Sequence, residues 1–342
     1  DLKFGEALAK AKTSIHLGLR TDATAHACSW HVPAAHYLES WGDARSARGT
    51  YTVVQPMILP LYPDCVAELE LLLGLLSEEG KLITGEGEEG APAPALQAIK
   101  ATCAKDKSAW KNLLKNGFDI SDTYAAATPA LSTNAAADIA NAKSAAPTKD
   151  KLDVIFATDA SVFDGRWIDN GWLQEAPDPV SKLTWDNAAL IAPKTAKELG
   201  IYDEIIKLET KFASVSPDGE GENRKSPMIT VKVNGKTLEI PVLVSFGQAE
   251  NTIIIPLGYG QSFNDEDELG RGVQNAGHTG LVGVNRGFDA YPLRTQATAY
   301  FATGATVSLT EKRYPVALTQ EHHAMYGRAL AREISTAPID HK

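Results

Sequence analysis

The stretch ITVKVNGKTLEIPVLV, residues 229–244, is the strongest hairpin signal in the chain. Two runs rich in β-branched residues, 229–233 and 236–244, flank the pair Asn234-Gly235. This pair suits a type I′ turn, which needs positive φ at both central residues. We therefore predict an antiparallel hairpin with a solvent-exposed tip at Asn234-Gly235.

The hairpin lies inside a longer run that extends from residue 182 to residue 260. The run opens with WDNAALIAPKTAKELGI at 185–201, where Pro193 suits the first turn of a short helix and Gly200 suits its left-handed end. It closes with NTIIIPLGYG at 251–260, which indicates a buried strand and a tight turn. Further strands are expected at 297–302 and 306–310. Together these segments predict a closed β-barrel over about residues 183–309.

The residues before this run show a different pattern of predicted helices and strands. A short helix leads into an apolar strand at 14–19, which is typical of a parallel α/β sheet, and another buried strand is expected at 153–157. Helices are predicted at 66–76, 94–104 and 108–116. The fold class is therefore α/β plus β-barrel. We predict a partial parallel α/β domain with a helical insertion at 1–177, a barrel at 178–318, and a tail or linker at 319–342.

Composition excludes several function classes. The chain has 342 residues and a net charge of −10, which disfavours non-specific binding of nucleic acid. It contains no apolar run long enough to span a bilayer. Its three cysteines, Cys28, Cys65 and Cys103, are far apart, which argues against an iron–sulfur or zinc site built from this chain alone. The first residue is Asp1, and we interpret the chain as a piece of a longer protein.

The segment WHVPAAHYLESWGD, residues 30–43, is the densest cluster of aromatic and titratable side chains. We select His31, His36, Glu39 and Asp43 as a possible polar cluster. His36 and Glu39 are three residues apart and can meet on one turn, whereas the spacing of His31 and His36 does not place them on one helical face. A packed corner is the favoured interpretation, and a polar pocket with a histidine on a proton path is the alternative.

Familiar catalytic motifs are missing from the sequence. It has no Gly-x-Ser-x-Gly, no Walker loop and no Gly-x-Gly-x-x-Gly, and Gly258-Tyr259-Gly260 is only half of such a loop. The adjacent pair His322-His323 does not form a chelate, because neighbouring residues point in different directions. We therefore assign neither catalytic nor metal-binding residues.

Residues 185–201 resemble the start of the dinucleotide-binding C-terminal domain of molybdopterin oxidoreductases. Residues 241–247 and 255–260 resemble its later strands, and Val284-Asn285 with YPLRT at 291–295 resembles its final loop. The resemblance implies a double-psi β-barrel. It also implies four relic cofactor-pocket residues, which are Asn187, Gly258, Asn285 and Arg294.

A second resemblance is carried by residues 30–43, by QPMILPLY at 55–62 and by QEHH at 320–323. These segments are similar to the iron–sulfur subunit of alternative complex III, a bacterial quinol:electron acceptor oxidoreductase. The chain would then be the C-terminal half of the molybdopterin-like domain of that subunit. The implied partners are other subunits of a membrane complex, including an adjoining ferredoxin-like domain that carries the iron–sulfur clusters. The implied location is the periplasmic face of the cytoplasmic membrane.

The same resemblance implies that this subunit has lost its molybdenum cofactor. Two departures from active relatives agree with that. Residues 203–205 read Asp-Glu-Ile where relatives usually read Asp-Gly-Asp, and residues 264–283 form a long polar insertion. We therefore expect no cofactor in this chain, with bound molybdopterin guanine dinucleotide as the alternative.

Three hypotheses about function follow. The first is a non-catalytic scaffold within a redox complex. The second is a working molybdopterin-dinucleotide-binding half of an oxidoreductase. The third is an unrelated enzyme, such as a protease or decarboxylase, on a double-psi barrel, and it lacks a catalytic constellation in the sequence.

Overall fold

The computed structural model describes residues 2–77, 93–103, 106–120, 124–141, 145–168, 170–204, 225–260 and 287–319. The chain divides into two compact units. One is Phe4–Lys143, and the other is Ser144–Lys342 together with Asp1–Lys3. We call them the N-terminal unit and the barrel unit. The expected tail at 319–342 lies outside the described residues after Thr319. None of the helices in the described ranges has the length and apolar character needed to cross a membrane.

The N-terminal unit combines short helices with two small sheets. Its helices are α1 (Phe4–Leu8), α2 (Ala23–Ala27), α3 (Glu68–Leu76), α4 (Pro94–Cys103), α5 (Lys107–Asn116) and α6 (Ala135–Asn141). Its strands are β1 (Ile15–Gly18), β2 (Trp30–Pro33), β3 (Gly42–Arg45), β4 (Tyr51–Val54) and β5 (Phe118–Asp119).

The expected parallel sheet is present in this unit as a single pair of strands. β1 and β2 run parallel, with His16 opposite His31, and α2 lies between them in the chain. The carboxylate of Asp22 caps α2 by accepting from the backbone N–H groups of Thr24 and Ala25, both at 2.9 Å. The strands β3, β4 and β5 form a separate antiparallel sheet.

The barrel unit is built on six strands that close on one another in the order β10-β8-β11-β6-β12-β9. Two short strands, β7 and β13, pair separately, and among the described residues two α-helices and a short 3-10 helix (Tyr291–Leu293) complete the unit. The elements are β6 (Leu152–Ala157), α7 (Gly171–Glu175), β7 (Leu183–Thr184), β8 (Ala189–Ile191), α8 (Pro193–Glu198), β9 (Lys225–Val233), β10 (Lys236–Val244), β11 (Thr252–Pro256), β12 (Phe301–Pro315) and β13 (Ala317–Leu318).

The hairpin prediction is confirmed. β9 and β10 pair antiparallel with Lys236 opposite Val233, and the turn between them is exposed. Asn234 has φ 54° and Gly235 has φ 72°, as a type I′ turn requires. Pro193 also begins α8, and Gly200 is left-handed with φ 71°.

The barrel begins earlier in the chain than the sequence indicated. β6, which we placed in the preceding α/β domain, pairs parallel with β11 and antiparallel with β12. It is one of the six barrel strands, and the division between the two units falls before it, between Lys143 and Ser144. A short apolar strand reveals its burial in the sequence but not its neighbours, so its sheet was assigned to the wrong part of the chain.

Side chains that point inward fill the barrel. They alternate along each strand, as the period of a strand requires, so that Leu152, Val154 and Phe156 on β6 are buried while Ile155 is exposed. The interior is completed from the neighbouring strands by Ile191, Ile229, Val231, Ile240, Val242, Ile253 and Ile255. A core of this kind leaves function to the loops at the ends of the barrel.

Candidate functional site

Polar side chains gather at one end of the barrel. β6 and β11 are parallel and finish at this end, while β8 and β12 run antiparallel to them and begin there. Four segments therefore meet at this end, namely residues 158–168, 185–188, 257–260 and 287–300. They contain three of the four predicted relic pocket residues. The fourth, Asn285, lies outside the described residues.

Asn187 ties two of these segments together. Its side chain is buried, and its amide nitrogen donates to the backbone oxygens of Pro256, at 2.9 Å, and Phe288, at 3.0 Å. Its amide oxygen accepts from the backbone N–H of Phe288 at 2.8 Å. Both donors of the amide are thus used on the protein backbone, and one acceptor position remains.

Gly258 lies where two loops approach each other closely. Its φ is 100°, and a Cβ added to it would lie 2.6 Å from the backbone nitrogen of Gly165. Gly260 is similar, because a Cβ there would lie 2.3 Å from the backbone nitrogen of Asp289. Only glycine fits such contacts at positive φ, so Gly258 and Gly260 are needed for packing.

Arg294 lies at the same end of the barrel but is held by other groups. Its guanidinium carbon is 5.1 Å from the ring centroid of Tyr291 and 5.5 Å from that of Tyr300. Its Nε donates to the backbone oxygen of Ala299. The structure therefore brings Asn187, Gly258 and Arg294 to one end of the barrel, and each contacts other parts of the protein there.

Three carboxylates at this end were not anticipated from the sequence. Burial raises the pKa of Asp289 to about 6, and its Oδ1 accepts from the backbone N–H of Tyr291 at 2.9 Å. Burial also raises the pKa of Asp159, whose Oδ1 accepts from the N–H groups of Ser161 and Val162. Asp186 is buried and accepts from the hydroxyl of Tyr314 at 2.6 Å.

Two tyrosines connect these groups to the loops. The hydroxyl of Tyr259 is 3.4 Å from Oδ1 of Asp159, and burial raises the pKa of this tyrosine. The hydroxyl of Tyr291 donates to the backbone oxygen of Asp164 at 2.6 Å. Because burial raises the pKa of Asp289 to about 6, this carboxyl group can exchange its proton near neutral pH, as acid–base groups must.

The sequence held only a weak signal for the three aspartates. Asp159 and Asp289 each accept a backbone N–H from a residue two positions later, an Asx-turn pattern that many surface loops share. What distinguishes them is their position at the end of the barrel where the parallel strands β6 and β11 finish. That position is not visible until the pairing of β6 with β11 is known.

The polar cluster predicted at residues 30–43 is not brought together as one group. His31 contacts His16, with 2.9 Å between the two Nδ1 atoms and 5.1 Å between ring centroids. The carboxylate of Asp43 accepts from the hydroxyl of Tyr51. His36 and Glu39 do meet, because the backbone N–H of His36 donates to Oε2 of Glu39 at 2.8 Å.

Glu39 has a structural role. Its second oxygen accepts from the backbone N–H of Leu61 at 3.0 Å, so the carboxylate joins two segments of the N-terminal unit. The backbone N–H groups of His36 and Leu61 lower the pKa of Glu39, since they stabilise its charged form. Across the described ranges, no group of three or more His, Cys, Asp or Glu side chains is arranged to hold a metal ion.

Comparison with known proteins gives a likeness in structure alone. No protein-family model matches the chain, and no curated protein matches its sequence. Among solved structures, it is similar to acetylene hydratase from Pelobacter acetylenicus, with 15% sequence identity and a TM-score of 0.50. The likeness covers 89% of this chain and 41% of the acetylene hydratase chain. At this identity it shows a shared fold and nothing about activity.

Proposed function

We propose that this chain is a molybdopterin-oxidoreductase-like domain that binds no cofactor and serves as a scaffold in a membrane-associated quinol oxidoreductase. In this role it positions an adjoining iron–sulfur domain among the other subunits, on the periplasmic face of the cytoplasmic membrane. The likeness to acetylene hydratase points to a molybdopterin-oxidoreductase-like fold. The scaffold role, the complex and the location come from the sequence resemblance.

The double-psi form of the barrel belongs to the same proposal. A closed barrel of six strands that mixes parallel pairs, such as β6 with β11 and β8 with β10, with antiparallel ones is compatible with that topology. A simple up-and-down barrel would contain antiparallel pairs only. The mixed pairing therefore supports the resemblance of residues 185–201 to the start of a dinucleotide-binding domain.

The proposal that the chain binds no cofactor rests mainly on the hydrogen bonds of the Asn187 side chain. A pocket for a pterin dinucleotide needs side-chain donors and cations that face the ligand. Both amide donors of Asn187 are instead directed to the backbone oxygens of Pro256 and Phe288, and Gly258 packs against Gly165. Asp186 and Asp289 bring acidic rather than basic side chains to the same end of the barrel. The described residues at this end of the barrel therefore do not fit the cofactor, and we derive no chemistry from it.

One observation favours the alternative, a working dinucleotide-binding half. Arg294 places a cation at the end of the barrel where Gly258 and Gly260 allow close approach of the backbone. An arginine in such a place is suited to a phosphate. Against this, its guanidinium lies over two tyrosine rings, and Asp159, Asp186 and Asp289 lie at the same end of the barrel.

Molybdenum and pterin analysis of the protein purified with its natural partners decides between the two. Under the scaffold proposal, metal analysis finds molybdenum far below one atom per chain, and acid extraction releases no fluorescent pterin. Near-stoichiometric molybdenum or pterin would instead establish the alternative. The Arg294→Ala variant sharpens the test, because it lowers pterin content only if a dinucleotide is bound.

A further inference from the structure

The N-terminal unit exposes an unusually apolar segment. Every residue from 57 to 64 is exposed, and five of these eight have large apolar side chains. They are Met57 (74% exposed), Ile58 (45%), Leu59 (85%), Leu61 (72%) and Tyr62 (71%). We call these five residues the apolar strip. Together they expose on the order of 500–700 Å² of surface, at or above the upper end of the range of about 300–600 Å² that is typical of the largest apolar patch on a soluble monomer.

The apolar strip is held in place by the rest of its unit. The backbone N–H groups of Met57 and Ile58 donate to the oxygen of Leu38, at 2.7 and 3.1 Å. The N–H of Leu61 donates to the carboxylate of Glu39. Beyond the strip, the N–H of Val66 donates to the oxygen of Pro33 at 2.9 Å. The segment is therefore held by hydrogen bonds at the start of the strip, within it and after it.

Prolines stiffen the same segment. Pro56, Pro60 and Pro63 fix φ at three positions, so little backbone freedom remains to be lost when a surface covers the side chains. Without a partner, five apolar side chains that are exposed to water on a fixed backbone do not stabilise the chain. Preorganised apolar side chains are typical of a protein-binding surface.

The charges that flank the apolar strip along the sequence distinguish among possible occupants. Residues 49–77 include three carboxylates, Asp64, Glu68 and Glu70, and no lysine or arginine. A two-fold interface between copies of this chain would place these carboxylates near their own counterparts. An anionic lipid surface would be repelled by them as well. A different polypeptide with basic residues around an apolar contact surface matches both features.

We infer that the apolar strip is the docking site of another polypeptide, one with an apolar contact surface bordered by lysine or arginine. This deepens the scaffold function proposed above and rests on it, because a scaffold must present a surface to a partner. The strip lies wholly in the N-terminal unit, so the docking site does not require the barrel end. Its side chains match in area most of one partner's share of a standard interface, which is about 800 Å².

The test compares a strip variant with a matched control in the intact complex from the natural source. Met57→Glu with Leu59→Glu places two charges in the strip. Leu131→Glu makes the same change at a residue of the same unit that is 92% exposed and outside the strip. A photo-crosslinking residue at position 59 identifies the polypeptide that contacts the strip. Its affinity for the purified chain is then measured by titration calorimetry.

We expect the strip variant to bind that polypeptide about a hundredfold more weakly, because two apolar contacts are lost and two charges are buried. We expect Leu131→Glu to change the affinity by no more than about twofold. Asp64→Asn with Glu68→Gln should slow association severalfold and reduce its dependence on salt. Circular dichroism should show the same fold in all variants, since every substituted residue is exposed.

The possible negative results separate the docking site from the scaffold function. Unchanged affinity of the strip variant for a partner that the wild-type chain retains would overturn the docking site and leave the scaffold function standing. Self-association through the strip, measured by sedimentation, would overturn it in favour of a second copy. Binding to phosphatidylglycerol vesicles through the strip would overturn it in favour of lipid. A wild-type chain that purifies from its source without any stoichiometric partner would overturn the docking site and the scaffold function together.

Discussion

At the scale of single residues, the side chain of Asn187 joins two segments at the end of the barrel. Its side chain satisfies three backbone groups, on Pro256 and Phe288, in a buried place. Replacement by alanine leaves those groups without partners, and each costs about 1–3 kcal/mol. We expect Asn187→Ala to lower the free energy of unfolding by about 3 kcal/mol or more, as measured by urea denaturation. The exposed Asn134→Ala variant is the control, and equal stability of the two variants would contradict the role assigned to Asn187.

Asp289 should make stability depend on pH. The native state binds its proton more tightly than the unfolded chain, since burial raises the pKa from 3.8 to about 6. Stability is therefore lost as pH rises between these two values, and the loss is complete above pH 6. Asn at this position keeps the oxygen that accepts from Tyr291 and carries no charge. We expect Asp289→Asn to be more stable than wild type at pH 8, by on the order of 2 kcal/mol, and about equal at pH 4.

Asp164 provides a control of opposite sign for this measurement. Its carboxylate pairs with Arg166 at 2.8 Å, and that hydrogen bond lowers the pKa of Asp164. Its contribution to stability is present at neutral pH and is lost as pH falls through the lowered pKa. Asp164→Asn should therefore be less stable than wild type at pH 8. In urea titrations at pH 8, a loss of stability in both variants would refute the assignment of Asp289, and a gain in both would refute that of Asp164.

At the scale of elements, the loop after β6 and the turn after β11 touch through Gly165 and Gly258. Gly258→Ala introduces both an unfavourable φ and a clash with backbone, whereas Gly247→Ala introduces only the φ penalty. Gly247 has φ 82° and no atom within 4 Å of an added Cβ. We expect Gly247→Ala to cost about 1 kcal/mol and Gly258→Ala at least about 2 kcal/mol more, in thermal or urea unfolding. An equal loss of unfolding free energy in the two variants would show that the contact between Gly165 and Gly258 is broken easily.

The elements also show what the sequence was able to predict. The β9–β10 hairpin was predictable because its turn chemistry is local, contained in Asn234 and Gly235. The place of β6 in the barrel was not, because it depends on β11 and β12, which follow it at a distance in the chain. The contact of Asn234 with Leu293, at 2.9 Å from its side-chain nitrogen, was hidden for the same reason.

The contacts of the candidate site could not be predicted for the same reason, because they join residues that are distant in the chain. The resemblance of residues 185–201 and 255–260 to a dinucleotide-binding domain implies that Asn187 and Gly258 are pocket residues. Their sequence context contains no trace of the backbone groups on Pro256, Phe288 and Gly165 that they contact. Likewise, the sequence groups His31 with His36, Glu39 and Asp43 as a possible polar cluster, because all four lie within residues 30–43. The parallel register of β1 and β2 instead places His31 opposite His16.

At the scale of the whole molecule, the two units differ in their cores. The barrel unit contains a large cluster of buried apolar side chains. In the described part of the N-terminal unit, the buried apolar residues are few and half of them are alanines, namely Ala25, Tyr51, Ala67, Ala95, Ile99 and Leu113. Since buried apolar area is the main source of stability, we expect the N-terminal unit to open at a lower urea concentration than the barrel.

The distribution of tryptophan makes this measurable. Trp30, Trp41 and Trp110 lie in the N-terminal unit, and the other three lie in the barrel unit. Replacing either set by phenylalanine gives a fluorescence signal from one unit at a time. Two separate midpoints, with the N-terminal unit first, are expected. Coincident midpoints would mean that the chain unfolds as one cooperative body.

The position of β6 between β11 and β12 has a consequence for folding of the chain during its synthesis on the ribosome. β6 leaves the exit tunnel early, and its neighbours on both sides are translated much later, with β12 ending at Pro315. Until then, both edges of a strand with the sequence LDVIFA lack their final partners, the state in which nascent chains associate with one another. The barrel can close only after β12 has emerged, so chaperones that shield nascent strands should matter more for this chain than for one whose sheets pair in order of synthesis.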